Sequence, residues 1–387
     1  MSGYWQFYPG NLLTGFDLRL SEDTPGTAAI DVIYVKVPSD WNSYEVSGRH
    51  FGSHGAGTYT TWIENLEPGE LYAIRLNFAG SAHQIFAGDE AQPLCAAGKP
   101  ALTAAEYTAD YRHVLCRFVA SDRRMRLTIQ VANFLHAAGG LRDVPIVGKE
   151  ALVWREYLIH STAAVASLAF LFGVIISLGV GFLLNRTEYR SLYMIGFALV
   201  MVIHALNGDI RLGRELFEFY GFLPQAKLNM FILPFGAAML LLYVVTWLAD
   251  GRVRRGVRYL ALGLVAWSLL FLFSPLTLGV RLYFINLQAT AVLAALFVVL
   301  MGYALNKGRG EIWILAVGTV FLALGALAAV LRTLHLIELQ GLEFIGFMLF
   351  LATQTSQSVV ELTRIRRRQQ TLISENKAAL GRLSLFV

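Results

Sequence analysis

Long apolar segments dominate the chain between Leu158 and Val360, and short charged connectors separate them. Each segment is close to the roughly 20 residues that an α-helix needs to cross a hydrocarbon core of about 30 Å. The pattern predicts seven membrane-spanning helices, at residues 157–184, 189–207, 225–248, 257–274, 282–305, 311–332 and 341–360. An odd number of crossings places the two ends of the chain on opposite sides of the membrane.

The charges of the connectors predict the orientation, because Lys and Arg in short loops are retained on the cytoplasmic side. Basic residues are concentrated after the first, third, fifth and seventh segments: Arg186, Arg190, Arg252, Arg254, Arg255, Arg258, Lys307, Arg309, Arg364, Arg366, Arg367 and Arg368. The other connectors are mixed or sparse, with Arg211, Arg214 and Lys227 among Asp209, Glu215 and Glu218, and Arg281 in the next one. We therefore expect the N-terminal segment outside the cytoplasm and the C-terminus inside it.

The composition fits a chain that is half embedded in lipid. Of its 387 residues 56% are hydrophobic and only 15% are charged, and the mean hydropathy is +0.52. The net charge of +5 is concentrated in the inside connectors and the tail, where topology and anionic lipid explain it, so no nucleic acid partner is expected. The start of the chain lacks a recognisable secretory signal, and we expect either that the true start lies upstream or that the chain is a trimmed form.

Residues 1–150 show a different pattern, with short alternating runs that end at Gly, Pro, Asn or Asp. Regular short strands with turn signals predict an all-β sandwich. The two cysteines, Cys95 and Cys116, lie in this part, either as a disulfide that closes a loop of about 20 residues or as two buried thiols. No His or Cys cluster has the spacing of a metal site, and we expect neither a metal nor a cofactor.

Several stretches resemble one bacterial receptor family. In the first part they are residues 3–13 (GYWQFYPGNLL), 37–42 (VPSDWN), 55–59 (GAGTY), 81–88 (SAHQIFAG) and 131–141 (VANFLHAAGGL). In the membrane part they are residues 186–193 (RTEYRSLY), 213–217 (GRELF) and 354–364 (QTSQSVVELTR). In this ordered combination the chain is similar to the seven-transmembrane receptors with diverse intracellular signalling modules, up to about Arg368.

The resemblance implies an extracytoplasmic jelly-roll sandwich, similar to the galactose-binding-like domains of glycosidases and lectins, over residues 1–150. It also implies a seven-helix membrane domain over 155–360 and a cytoplasmic helix over 361–387, in the bacterial inner membrane. Related receptors continue into a histidine kinase, a diguanylate cyclase or a phosphatase. The sequence up to Val387 contains no GGDEF-like run, no phosphoacceptor His after the last span and no Gly-rich nucleotide loop, so we expect no enzyme activity from it.

The candidate ligand residues of the β part are amides, imidazoles and one aromatic ring near predicted turns. Such groups hold sugars through hydrogen bonds and ring stacking. The candidates are Asn133, His136, Trp41, Asn42, His54 and His83. Each also has a structural interpretation, because buried polar groups usually serve the fold. In the membrane part we expect Asn286, Gln288 and Gln354 to form hydrogen bonds between helices.

After Val360 the sequence predicts a helix that leaves the membrane. A heptad places Leu362, Gln369, Asn376 and Leu383 at one core position and Ile365, Leu372, Ala379 and Phe386 at the other. This predicts a short parallel coiled coil and a homodimer, in which Asn376 would select the register. The alternative is an amphipathic helix that lies on anionic lipid, with its arginines at the headgroups.

Together these features favour a signalling receptor. Its β domain would bind an extracytoplasmic small molecule, saccharide or protein, and its helices would pass the signal to a cytoplasmic effector. The alternative is a transporter or channel with an outer substrate-capturing domain. Paired broken helices, which are common in secondary transporters, are not visible in the sequence, and neither is the mid-span Lys of a retinal pigment.

Overall fold

The computed structural model describes residues 1–23, 31–77, 79–136, 138–186, 189–208, 211–248, 250–306, 313–333 and 342–383. The chain forms two compact units. Unit 1 comprises residues 1–166, 204–230 and 271–283, and unit 2 comprises residues 167–203, 231–270 and 284–387. Unit 1 therefore extends beyond the predicted β domain, because two helical connectors belong to it.

The described part of the first 149 residues forms β-strands, one short α-helix and a 3-10 turn at Trp41–Ser43. In chain order these are β1 (Gly3–Pro9), α1 (Gly15–Asp23), β2 (Ile33–Val37), β3 (Glu45–Val46), β4 (Arg49–His50), β5 (Gly55–Ile63), β6 (Leu71–Leu76), β7 (Ala82–Ala87), β8 (Cys95–Ala97), β9 (Val114–Val119), β10 (Met125–Asn133) and β11 (Ile146–Lys149). The predicted all-β character of this part is confirmed.

Two antiparallel sheets share one hydrophobic core. The larger sheet has the strand order β2-β1-β5-β10-β7-β8, and the smaller one has the order β11-β6-β9. Alternate residues of the strands point inward, so that Ile129 of the larger sheet and Ile74 of the smaller one are fully buried in the same cluster. Cys95 on β8 and Cys116 on β9 form a disulfide, with their Cα atoms 6.1 Å apart, which joins the two sheets covalently.

Helices follow the last strand without a linker, because β11 ends at Lys149 and the next helix begins at Glu150. The helices are α2 (Glu150–Leu184), α3 (Tyr189–Leu206), α4 (Leu212–Leu216), α5 (Phe222–Val245), α6 (Gly251–Phe273), α7 (Leu276–Asn306), α8 (Trp313–Thr333) and α9 (Leu342–Leu383). Pro234 lies inside α5.

Within the described residues, four helices are long and apolar enough to cross a membrane: α2, α3, α5 and α6. They coincide with the first four predicted spans. Shorter apolar stretches lie in α7, α8 and α9, at Ala295–Ala304, Ala316–Ala328 and Phe344–Val360. A mixed chain with β sheets and apolar, membrane-type helices is thus confirmed, and the full set of seven crossings stays a prediction.

Unit 2 has an apolar core with a few buried polar contacts between helices. The hydroxyl of Tyr243 donates to Oε1 of Gln354, whose side chain is 2% exposed. Trp267 Nε1 donates to Asn286 Oδ1 over 3.4 Å, which confirms the second predicted polar contact. Gln288 differs, because its side chain lies on the exposed surface of α7.

Helices α8 and α9 approach each other at glycine. A Cβ on Gly346 of α9 would lie 2.7 Å from the Cα of Gly325 and 2.7 Å from the carbonyl oxygen of Phe321, both on α8. Those contacts are with backbone, which cannot rotate away as a side chain can. The close packing of these two helices therefore depends on glycine at this position.

Candidate functional site

The side chain of Asn133 fixes the loop that follows β10 through hydrogen bonds. It is fully buried, and Nδ2 donates to the carbonyl oxygens of Ser53 (2.7 Å) and His136 (2.9 Å). Oδ1 accepts from the backbone N–H of His136 (3.0 Å) and from the hydroxyl of Ser81 (2.5 Å). Both amide hydrogens and both lone pairs are thus used within the fold, so that the amide supports a loop and has little capacity left for a ligand.

His136 lies beside Asn133 and is held neutral. Its Nδ1 lies 3.1 Å from the backbone nitrogen of Ala138 and 3.0 Å from the carbonyl oxygen of the same residue, so one residue holds the ring in place. The pKa of His136 is lowered to about 4, mainly by burial, and the positive charges of Arg142 and Arg211 act in the same direction. His54 also contributes to this shift and is exposed, so the structure brings these two predicted residues near each other.

Trp41 belongs to the core of the β domain. Its ring is 0% exposed, and Nε1 donates to the hydroxyl of Tyr59 over 2.7 Å. Gly139 packs so closely that a Cβ there would lie 2.3 Å from Trp41 Cε3. The ring therefore has no free face on which a sugar could stack. Asn42 is exposed, and its backbone N–H donates to Asp40 Oδ1 over 3.0 Å.

His83 is also internal. It lies on β7 with 2% of its surface exposed, and burial lowers its pKa to about 4. Asp110 partly offsets that shift. The six predicted residues therefore divide: Asn133, Trp41 and His83 are buried within the fold, His136 is partly buried, and Asn42 and His54 lie at the surface.

A second cluster joins the β domain to the helical connector between α3 and α5. Asp110, in the segment before β9, accepts two hydrogen bonds from Arg214 of α4, from Nε to Oδ1 (3.2 Å) and from Nη2 to Oδ2 (3.4 Å). The two side chains are only 18% and 16% exposed. A bidentate pair with this little exposure fixes orientation as well as distance.

Tyr111 provides the apolar part of the same contact. Its ring is 5% exposed, and its centroid lies 4.4 Å from that of Phe222, at the start of α5. The guanidinium carbon of Arg211 lies 5.2 Å from the centre of the Tyr111 ring, within the range of a cation–π interaction. The ring of His136 also contacts Tyr111 in an edge-to-face arrangement, with 6.4 Å between the ring centroids. Tyr111 thus connects the loop after β10 with the start of α5.

Ion pairs also fix the start of α2 on the smaller sheet. Arg75 of β6 donates to Glu156 over 2.9 Å, and its side chain is 3% exposed. Arg117 of β9 pairs with Glu150 at 3.2 Å. The coupling contact is defined here as Asp110, Tyr111, Arg211, Arg214 and Phe222, together with these two pairs.

The coupling contact is not apparent from the sequence alone. Arg75 lies between Ile74 and Leu76, which point into the core, so alternation places Arg75 on the outer face of the smaller sheet, where a charged residue is ordinary. Its side chain is nevertheless only 3% exposed, and a charge buried to that extent requires a partner. The sequence does not say which residue that partner is, because Glu156 lies 81 positions away.

The fold and these contacts define a class: a β domain attached through ion pairs and aromatic packing to helices of membrane-spanning length. No family model and no curated protein matches the chain. Solved structures match over 38% of this chain with low overall similarity. Two are β-glucuronidases, from Ruminococcus gnavus in complex with uronic deoxynojirimycin (12% identity, TM-score 0.27, 28% of that chain) and from an uncultured Clostridium sp. (15%, 0.27, 27%). A third is the GH2 β-galacturonidase from Eisenbergiella tayi bound to galacturonate (12%, 0.24, 23%). The matches thus span about a quarter of the length of these enzymes, and scores this low carry no functional argument.

Proposed function

We propose that the chain is a bacterial transmembrane receptor of the seven-transmembrane type with diverse intracellular signalling modules. Its jelly-roll β domain lies outside the cytoplasm and binds a ligand or partner. Seven helices cross the inner membrane, and the C-terminal helix contacts a cytoplasmic effector. The sequence resemblance and the distribution of Lys and Arg between the connectors support this proposal.

The coupling contact is the observation that carries the proposal. A domain that only captures a substrate can be attached through a flexible linker. A domain that signals must be rigidly connected to the helices, so that its movement is passed on to them. Here β11 continues directly into α2, and the pair Asp110–Arg214 adds a second attachment at a distant point of the sequence. Two attachments allow a movement of the β domain to change the position of one helix end relative to another.

The C-terminal helix is long enough to pass such a movement from the membrane into the cytoplasm. We call this transfer the relay. Helix α9 contains 42 residues, which is about 63 Å at 1.5 Å per residue. Its apolar stretch Phe344–Val360 accounts for less than half of that length. The rest would extend into the cytoplasm as the predicted coiled coil of a homodimer. Leu372, one of the predicted core positions, is 58% exposed in the single chain, as an unpaired seam residue should be. The side chains of Leu362, Ile365, Asn376 and Leu383 lie outside the described part.

For signalling, the ligand must bind one arrangement of the helices more tightly than the other. A ligand with the same affinity for both arrangements does not shift the equilibrium between them. The same logic applies to a mutation. Reversal of the charge at Asp110 places two positive groups together, opens the coupling contact and shifts the arrangement without any ligand.

Cysteine crosslinking of the tail in membranes tests both the dimer and the relay. Leu372→Cys lies on the predicted seam, and Ser374→Cys, on the opposite side of the heptad, is the matched control. The sequence has two cysteines and these form the disulfide, so the added thiol is the single free one. We expect disulfide-linked dimers from Leu372→Cys and far fewer from Ser374→Cys. Equal or absent crosslinking at both positions would remove the coiled coil from the proposal.

The relay is tested by adding Asp110→Arg to the Leu372→Cys chain. We expect a changed crosslinking yield, restored when Arg214→Asp is added, because the swapped pair rebuilds the attraction. Glu64→Arg is the control: it disrupts an ion pair with Arg124 whose side chains are 63% and 56% exposed. A yield that does not respond to Asp110→Arg, combined with solute flux through the reconstituted chain, would favour the transporter or channel alternative.

A further inference from the structure

Gln225 of α5 carries a fully buried amide that forms no hydrogen bond with any described residue. Its side chain is 0% exposed, and neither Oε1 nor Nε2 has a partner in that part of the chain. Buried amides in native proteins nearly always have partners, because an unpaired donor or acceptor away from water costs free energy. The described arrangement is therefore less stable at this position than one in which the amide is paired.

Ser274, at the corner between α6 and α7, is a second buried group of this kind. It is 9% exposed, and its hydroxyl oxygen makes no hydrogen bond to the described residues. Ser268 of α6 shows the usual solution for a buried serine, since its hydroxyl donates to the carbonyl oxygen of Leu264 in the same helix over 2.7 Å. Ser274 does not use its own helix in this way.

The two groups lie on segments that come close to each other. Lys227 Nζ donates to the carbonyl oxygen of Leu272 over 3.2 Å, so residues 225–227 of α5 lie near residues 272–274 of the corner. A glutamine amide both donates and accepts, and so does a serine hydroxyl. The two unpaired groups are therefore chemically matched and lie in the same region of unit 1.

Tyr111 of the coupling contact packs against both segments. Its ring forms a cluster with Phe222, which lies three residues from Gln225 on the same face of α5, and Leu276 at the start of α7 packs against that cluster. The ion pair of the neighbouring Asp110 fixes the position of the ring. Displacement of the ring would therefore let α5 and the corner move relative to each other.

We propose that Gln225 and Ser274 form a hydrogen bond only when the coupling contact opens. This latent bond then stabilises the second arrangement of the helix ends. In the described arrangement neither group has a partner among the described residues, which keeps the two arrangements close in free energy, so that a ligand with a small preference for one of them shifts the balance. The proposal takes the two arrangements from the proposed receptor function and adds the residues that set the balance between them.

Melting temperatures of the full chain in nanodiscs test the unpaired state first. Gln225→Met keeps an unbranched side chain of similar length and removes the amide, so it should raise the melting temperature. Asn207→Leu is the matched control, because its buried amide is paired: Oδ1 accepts from the hydroxyl of Tyr220 over 2.8 Å, and Nδ2 donates to Asn229 over 2.7 Å. This control should lower the melting temperature by about 3 °C or more. A lower melting temperature for Gln225→Met overturns the proposal.

The latent bond itself is tested in the chain that carries Asp110→Arg, in which the coupling contact is open. There Gln225→Met and Ser274→Ala should each lower the melting temperature, and the double variant should lower it no further than either change alone, because both remove the same bond. Ser268→Ala is the control for serine and should give the same shift in both chains.

The decisive result is the sign of the shift that Gln225→Met causes. It should be positive in the unmodified chain and negative in the Asp110→Arg chain, and Arg214→Asp added to Asp110→Arg should make it positive again. Where Asp110→Arg does not fold, Tyr111→Ala removes the ring from the same contact and takes its place. A shift of the same sign in both chains overturns the proposal.

Tail crosslinking separates the latent bond from the receptor function. A reversal of sign together with a changed crosslinking yield of the Leu372→Cys chain supports both. A reversal without a change in yield supports the latent bond and counts against the relay. A yield that responds to Asp110→Arg without a reversal of sign overturns the latent bond alone.

Discussion

Replacement of Glu156 by glutamine should destabilise the β domain more than replacement of Arg75 by methionine. The reason is the unequal burial of the two partners, whose side chains are 44% and 3% exposed. Arginine cannot lose its charge in a protein. Glu156→Gln therefore leaves a buried guanidinium without its anion, whereas Arg75→Met leaves a carboxylate that water can reach.

The burial of Arg75 determines how far the two variants differ in stability. A hydrogen bond to a charged group contributes about 1.5–3 kcal/mol, and a buried charge left alone costs more. Because Glu156 is partly hydrated, we place the cost of Glu156→Gln at about 2 kcal/mol. Arg75→Met removes the buried charge and keeps an apolar stem, so its cost should be below about 1 kcal/mol. At about 3 °C per kcal/mol for a domain of this size, the two variants should differ by several degrees.

Thermal unfolding of the full chain in nanodiscs, followed by tryptophan fluorescence, measures both variants. Glu64→Gln is the control, since it weakens the exposed pair with Arg124 and should shift the melting temperature by about 1 °C or less. The double variant Arg75→Met/Glu156→Gln should be more stable than Glu156→Gln alone, as no buried charge remains. An Arg75→Met protein less stable than Glu156→Gln would refute the reasoning, because it would show that packing and not charge governs this contact.

Three further predictions concern other parts of the chain. Burial lowers the pKa of His83 and of His136 from 6.5 to about 4, so the unfolded chain binds more protons between these values. The free energy of unfolding should therefore fall as the pH decreases from about 6.5 towards 4, by up to roughly 3 kcal/mol per histidine. A series of denaturation curves from pH 7 to 4 measures this, and His136→Asn should make the decrease with pH less steep. Gly346→Ala should reduce the melting temperature by several degrees, because its Cβ meets backbone atoms at 2.7 Å, whereas Gly302→Ala, with nothing within 4 Å, should be neutral or stabilising. Reduction of the disulfide between the sheets should cost about 3 kcal/mol, measured as a lower denaturation midpoint, and an unchanged midpoint would show that the sheets do not need the link.

The elements of this chain were predictable from local pattern. Alternation in residues 125–131 indicated a strand, and β10 covers it. The first four apolar runs indicated helices, and α2, α3, α5 and α6 match them within a few residues at most ends. Both signals arise from the periodicity of side chains about the backbone, which acts within a few residues and is therefore visible in sequence.

The sites were less predictable, because they depend on which distant residues meet. Asn133 and Trp41 have the chemistry of sugar-binding residues, and only the structure shows that their polar atoms are used within the fold. Gln225 has an amide of the same kind in an apolar helix. What separates it from Asn133 is the absence of a hydrogen bond to any described residue, and no sequence pattern reports that. The pairing of Asp110 with Arg214, across 104 positions, is equally invisible to local pattern.

The larger sheet does not contain the coupling contact, whose Arg75 and Arg117 lie on the smaller sheet, so a signal that starts on the larger sheet needs a connection to it. Gln84 lies opposite Ala96, the neighbour of Cys95, and the disulfide leads from there to Cys116. The next residue, Arg117, pairs with Glu150 at the start of α2. Each step is a covalent bond, a ladder position or an ion pair, and none depends on a flexible loop. Such a connection transmits displacement well only if it is stiff, since a soft sheet would absorb a small shift of the larger sheet before the shift reached the helix. Interiors packed like crystals have that stiffness. Spatial continuity alone does not show that the larger sheet and the helix are coupled, which is why the crosslinking and melting experiments must be performed on the same chain.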